Sequence, residues 1–287
     1  MKFTKMQGAG NDYVYVDATK NEIDDPAGLA IKLSERHFGI GSDGVIYIRK
    51  SPEHKGLFMM DLYNADGSRA KMCGNGIRCV GKYLWDHKMV DKDEIEIDTL
   101  SGVKQLKLII DEAGNCTAAT VNMGVPILET EKIPADKTKF ENSKIPGMTV
   151  DAEFAAAGEH FRATLVSMGN PHCVIFTDDT SVVTELGPHF EWNEAFPEGV
   201  NTEFVKIIND NTVEMRVWER GSGETYACGT GCSAVGTALV LNEKIKGNDV
   251  DVICLGGTIH IHWEGIGSPV FMTGPCENVF DGELFGI

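Results

Sequence analysis

The chain has 287 residues, 42% apolar and 24% charged, with a net charge of −17. This length suits two units of ordinary size, and the composition excludes a low-complexity or disordered chain. No Lys/Arg cluster interrupts the negative charge, which excludes nucleic acid as a partner. No stretch approaches the roughly 20 apolar residues of a membrane helix, and no apolar run follows Lys2 and Lys5, so a cytoplasmic protein with no membrane partner is expected.

In chain order, strands are expected at "DYVYVDA", "GVIYIRK", "LFMMDLY", "EIEIDTL", "ATVNMG", "ATLVSMG", "HCVIFT", "TEFVKII", "TVEMRVWE", "TIHIHW" and "SPVFMTG". They are rich in β-branched and aromatic residues, and several alternate apolar with polar residues. Helices are expected at about 26–37, about 76–88, 180–187 and about 230–242. Strand-rich α+β is the fold class, since strands and helices do not alternate regularly. The helix after Gly76 has Ile77, Val80 and Leu84 on one face, which predicts one-sided burial. The helix after Gly231 is small or apolar all round and should be enclosed, with Gly236 allowing close approach. Residues 126–160 carry three prolines and many charges without a chemical motif, and the crossing between units is expected near their start.

A repeat stands out within this pattern. "CGNGIRCVGKYL" (73–84) and "CGTGCSAVGTAL" (228–239) agree at Cys, Gly, Gly, Val, Gly and Leu without a gap, which implies a repeated supersecondary unit and one thiol per half. A cysteine opening a helix sits near unpaired backbone N–H groups and the positive end of the dipole, which lowers its pKa and suits it to act as a base. The same glycine-lined starts, at Gly74, Asn75, Gly229 and Thr230, can present N–H groups to a carboxylate and stabilise charge on an adjacent deprotonated carbon. Inverting a stereocentre needs a base on one face and an acid on the other, and two mirrored thiols, their sulfurs roughly 6–7 Å apart around the carbon, can supply both.

The segments "MQGAGNDYV", "YNADGSRAKMCGNGIRC", "MGNPHCV", "VNTEFV" and "ERGSGETYACGTGCSA" together resemble the diaminopimelate epimerase family, in order, from residue 2 to about residue 240 and more weakly beyond. The resemblance implies interconversion of LL- and meso-diaminopimelate for lysine and peptidoglycan precursors, with Cys73 and Cys228 as acid and base. It implies that the backbone at Gly74, Asn75, Gly229 and Thr230 binds the carboxylate at the reacting centre. Asn11, Asn64, Asn170, Asn201 and Arg220 would grip the distal amino acid group, while His172 and Glu219 tune the thiols and hold the reacting amine. No pyridoxal, metal or other cofactor is implied. The implied fold has two similar halves, each wrapping strands about a central helix: residues 1–125, completed by a C-terminal strand 274–287, and residues 126–273, with the active site in the cleft between them. A homodimer is the expected assembly. Gly44 stands where some members carry Gln, so it is left out of the site.

Competing readings are weaker. Gly39, Gly41 and Gly44 spell GxGxxG, but between an expected helix and a strand, the reverse of dinucleotide-binding context. A proline racemase or hydroxyproline epimerase would also pair cysteines, but the Asn and Arg positions for a distal amino acid group argue against it. A redox or metal-binding thiol protein would make all eight cysteines the function, yet the spacings lack CxxC pairs. Cys79, Cys116, Cys173, Cys232, Cys254 and Cys276 read as packing residues, although Cys173, beside His172, could lie near the cleft.

Overall fold

A computed structural model describes residues 1–285. The chain forms two compact units, Met1–Asn122 with Thr273–Ile287 (described as far as Phe285), and Met123–Met272. The last two positions of the expected C-terminal strand 274–287 lie outside the described residues.

In the first unit the chain runs β1 (Lys2–Gly8), β2 (Asn11–Asp17), α1 (Pro26–Ser34), β3 (Gly44–Lys50), β4 (Phe58–Asn64), β5 (Arg69–Ala70), α2 (Gly74–Asp86), β6 (Glu94–Asp98), β7 (Lys104–Ile110) and β8 (Cys116–Gly124). β1 pairs antiparallel with β2, β2 parallel with β3, and β3 antiparallel with β4. β4 carries the short β5 and pairs in parallel with β6, which continues through β7 to β8. Strand alternation divides the side chains between two layers. Val14, Val16, Val45 and Tyr47 form one core with Phe3 and with Ala30 and Leu33 of α1. On the other face, Tyr15 reaches the Gly76 carbonyl of α2 at 3.1 Å.

The second unit repeats this plan with β9 (Ala152–Ala156), β10 (Glu159–Ser167), β11 (Pro171–Phe176), α3 (Val183–Glu191), β12 (Asn201–Asn209), β13 (Thr212–Glu219), β14 (Gly223–Thr225), α4 (Gly229–Leu241), β15 (Asp249–Cys254) and β16 (Gly257–Trp263). β10 to β16 reproduce the β1 to β7 pairings, including the parallel steps β11–β12 and β13–β15. β17 (Val270–Pro275) returns the chain to the first unit, where β18 (Glu277–Glu283) pairs antiparallel with β1. Each repeated cysteine therefore caps the start of the inner helix of its own unit.

The helices are found close to where they are expected, with shifted ends. α1 stops at Ser34 because Glu35 is extended, and α3 begins after a 3-10 turn at Thr180–Val182. One expectation is corrected. α2 is buried from Gly74 through Leu84 on all sides, Arg78 and Lys82 included. Long cations enter the interior because carbonyls meet them: Arg78 donates to the Pro275 carbonyl (3.1 Å) and to Asn75 Oδ1 (3.0 Å), and Lys82 to the Cys116 carbonyl (2.7 Å). α4 is enclosed as its composition implies, packing against β10, β11, β12, β15 and β16.

What Gly236 accommodates is the Ile261 side chain, since a Cβ added there would lie 2.4 Å from Ile261 Cγ2. In a helix interior alanine is ordinarily favoured over glycine by about 1 kcal/mol. Gly236→Ala is nevertheless expected to destabilise the protein by roughly 1–3 kcal/mol through overpacking. A urea midpoint at or above that of the wild type would show instead that Ile261 moves aside.

Candidate active site

In the first unit, Cys73 is partly exposed and accepts a hydrogen bond from the Gly76 N–H at 3.4 Å, while its thiol donates to Asn11 Oδ1 at 3.2 Å. Asn11 opens β2 and its amide is fixed by Asp43, whose Oδ2 accepts from Asn11 Nδ2 at 2.7 Å, so that Oδ1 is the atom left for the thiol. Asn64 ends β4, with Nδ2 donating to Ser68 Oγ at 3.0 Å, and the next residue's N–H donates to the Asp43 carbonyl. Gly74 and Asn75 begin α2, where backbone N–H groups have no carbonyl one turn earlier to bind. The Asn75 side chain is buried and engaged by Arg78, which leaves its backbone as the part suited to a ligand.

In the second unit Cys228 is buried, and its thiol donates to Glu219 Oε2 at 3.2 Å, with Thr230 Oγ1 at 3.4 Å. Glu219, the last residue of β13, also accepts from Thr225 Oγ1 at 2.5 Å. Asn170 Nδ2 donates to Thr230 Oγ1 at 3.3 Å, which ties the start of β11 to the start of α4 at Gly229 and Thr230. His172 is fully buried, with Nδ1 2.6 Å from Glu203 Oε1. The structure thus gathers Asn170, Thr230, Cys228 and Glu219 by direct contacts, and brings Asn11 to Cys73.

Asn201 Oδ1 accepts the Arg220 N–H at 2.8 Å and its Nδ2 donates to the Pro171 carbonyl at 3.2 Å, which places Arg220 and uses one of the amide's two N–H groups and one of its two lone pairs. Arg220 itself is exposed and enters none of the ion pairs among the described residues; Nη1 donates to the Glu198 carbonyl at 2.8 Å. It lines a cavity of about 460 Å³ with Glu131, Lys132, Gly169, Pro171 and Glu198.

The expectation that a helix start lowers both thiol pKa values is corrected for Cys228. Burial, then the carboxylates of Glu219 and Glu203, hold that thiol well above its ordinary value and outweigh the Thr230 and Gly231 hydrogen bonds. Cys228 is therefore a proton-bearing thiol at neutral pH. Iodoacetamide at pH 8 is expected to alkylate Cys73 at least about 10-fold faster than Cys228, because the reagent needs both access and thiolate. Peptide mapping with comparable rates at both would overturn that asymmetry.

Cys173 lies on the opposite face of β11 from His172, inside the Phe190–Phe204 core. Gly44 is left without a side chain for a steric reason: a Cβ there would sit 2.2 Å from the Tyr63 carbonyl. Three residues that sequence reasoning missed belong to the site. Asp43 orients Asn11. Tyr13 has its hydroxyl proton held well above the ordinary range, by burial first and then by the neighbouring Cys73 thiol. Glu203 is the third, buried between β12 and α4. Its signal was in "VNTEFV", where period-two alternation places Glu203 on the face of Asn201 and opposite Phe204.

A family model described as diaminopimelate epimerase matches residues 3–129 and 164–279 of this chain, leaving out mostly the stretch that carries no motif. The chain is 48% identical over 286 residues to a protein of Agathobacter rectalis named diaminopimelate epimerase, covering 99% of each. It is 47% identical over 286 residues to one of the same name from Methanococcus maripaludis, again covering 99% of each. Among solved structures it resembles a hydroxyproline epimerase from Agrobacterium vitis with bound trans-4-OH-L-proline, with TM-score 0.67 and 15% identity, covering 99% of this chain and 90% of that one. A PhzF-family phenazine biosynthesis protein of Bacillus anthracis has TM-score 0.69 at 14% identity, with 99% of each chain covered. At these identities the structural likeness concerns the fold.

Proposed function

The chain belongs to the diaminopimelate epimerase family, and from that premise we propose that it inverts one α-carbon of 2,6-diaminopimelate by proton exchange between Cys73 and Cys228. It is an isomerase. The observation that carries the two-thiol reading is the repeat: each unit sets one cysteine at the N-cap of its inner helix, in the same strand frame, with a hydrogen-bonded side chain waiting on the sulfur.

In this reading one thiolate removes the α-proton, the electron pair passes into the substrate carboxylate, and the other cysteine's S–H supplies the proton to the opposite face. Backbone N–H groups at Gly74, Asn75, Gly229 and Thr230 hold that carboxylate and stabilise the charge as it develops. Glu219 and His172 accept from the ammonium at the same carbon. Glu219 and Glu203 pair with no Lys or Arg among the described residues, so a cationic ligand group is the natural complement of this pocket. Arg220 takes the distal carboxylate, set in place by Asn201, with Asn11, Asn64, Asn170 and Asn201 serving the distal amino acid group. All eight cysteines are free thiols, which suits a reducing compartment, and we place the enzyme in the cytoplasm.

Incubation of the reduced protein with LL-diaminopimelate in deuterated water is the direct test. The meso isomer, carrying one deuterium at a single α-carbon, is the expected product. Unchanged diaminopimelate alongside deuterium exchange into proline would overturn the substrate.

A further inference from the structure

Glu203 is a carboxylate where packing alone would call for a hydrocarbon. It projects from β12 on the same face as Asn201, is 0% exposed, and approaches Gly231 so closely that a Cβ added there would lie 2.8 Å from Oε1. The first unit builds the same joint without charge. A Cβ added at Gly76 would meet Ile46 Cδ1 at 2.8 Å, and Ile46 stands on β3 as Glu203 stands on β12. The fold therefore does not need a carboxylate to seat the inner helix on its strand, and burying one is costly unless a partner uses it.

The groups that face Glu203 are His172 from β11, Glu219 from β13 and Cys228 at the start of α4, while Cys173, on the other face of β11, feels its charge through the sheet. Among the side chains of the described residues, His172 is the one that bonds it, Nδ1 to Oε1 at 2.6 Å. The remaining atoms of that pair, His172 Nε2 and Glu203 Oε2, are buried and lack hydrogen-bond partners among the described residues. A neutral imidazole carries one N–H, and a carboxylate at Nδ1 draws it there, which leaves Nε2 as a lone-pair acceptor.

We infer that Glu203 is a positioning residue that fixes His172 in the Nδ1–H tautomer, so that Nε2 accepts from the ammonium at the reacting carbon. This rests on the proposed reading of the site for the identity of the ammonium, but not for the tautomer. With His172 turned the other way, an N–H would confront an N–H and the ammonium would lose an acceptor next to the carbon being deprotonated.

The experiment joins a spectroscopic readout to a kinetic one. The ring nitrogens of His172 are followed by NMR in histidine-labelled protein, assigned by loss of the signal in His172→Gln, and epimerisation is measured in wild type, Glu203→Gln and Glu203→Asp. The expected result is Nδ1–H in the wild type and in Glu203→Asp. In Glu203→Gln, whose amide can donate to Nδ1, the proton moves to Nε2 and kcat falls about 10²-fold. Glu203→Asp should recover part of that loss, which a merely structural carboxylate would not link to the tautomer. An Nε2–H tautomer in the wild type overturns the inference even if the variants fail to fold, and so does a Glu203→Gln enzyme within threefold of wild-type kcat. A wild type that leaves diaminopimelate unchanged overturns the proposed substrate instead, with the tautomer still decided by the spectrum.

Discussion

Cys228→Ala is expected to lower the rate of epimerisation by about 10³-fold or more, since general acid–base catalysis contributes about 10²–10⁴-fold and the hydroxyl beside that sulfur, Thr230, is far too weak an acid to replace a thiol. The loss should be selective. Cys73 remains, partly exposed and with the Gly76 N–H to support its thiolate. It can still remove the α-proton from whichever stereoisomer presents that proton to it, and can return a solvent-derived one to the same face. Cys228→Ala should therefore exchange deuterium into one isomer with retention while failing to invert either. Cys73→Ala should show the mirror pattern, exchanging the other isomer, and more slowly, because Cys228 holds its proton well above the ordinary thiol range. The readout is NMR of each pure isomer in deuterated water, followed by chiral chromatography. Epimerisation above a tenth of wild type in either variant would sink the two-thiol mechanism.

The second large effect concerns Arg220→Met, which should lower kcat/KM about 10²–10³-fold, most of it in KM. Truncating one partner of a close charge pair costs about 2–5 kcal/mol, and a distal carboxylate is gripped equally before and during proton transfer. The guanidinium is free for this role, as its only hydrogen bond among the described residues is to the Glu198 carbonyl. Its backbone is held twice over: Asn201 Oδ1 accepts the Arg220 N–H, and Glu191 Oε1 accepts the Gly221 N–H at 2.7 Å while Oε2 accepts Trp218 Nε1 at 2.7 Å. Because the side chain is exposed, the thermal midpoint should hardly move. Arg220→Lys should keep the charge but lose the two-pronged grip, and fall between wild type and Arg220→Met. A KM within twofold of wild type for Arg220→Met would remove Arg220 from the substrate.

Much of this site was legible because its chemistry is written in short local patterns. Cys-Gly-x-Gly before an apolar run opens a helix in both units, and its recurrence pointed to Cys73 and Cys228 together. What stayed hidden depends on contacts that sequence spacing does not encode. Asp43 reaches Asn11 across 32 positions and Glu203 reaches His172 across 31. The hold of Asn201 on the Arg220 N–H is equally invisible in the spacing. β7 and β15, "KQLKLII" and "DVDVIC", escaped because Lys and Asp occupy their exposed face and dilute the apolar signal, although the alternation is present. The one-sided reading of α2 failed on Arg78 and Lys82, whose charge argues for solvent until carbonyls are placed around them. In "VNTEFV" the acidic residue was passed over for the same reason: charge reads as surface.

The closing strand has a consequence for the way this protein is made. β18 pairs with β1 from Lys2↔Glu283 to Gln7↔Glu277, and the Met1 amino group donates to the Leu284 carbonyl at 2.7 Å. The first unit to leave the ribosome is thus missing an outer strand, whereas the residues of the second are contiguous and all available before β18 is synthesised. Domains generally fold as units during synthesis, N-terminal first. Here the first unit cannot complete its sheet in that order: one edge of β1 stays unpaired until a segment translated after the whole of the second unit arrives. That interval is when the nascent chain is most open to strand-to-strand association with a neighbour, a hazard that every unpaired edge carries.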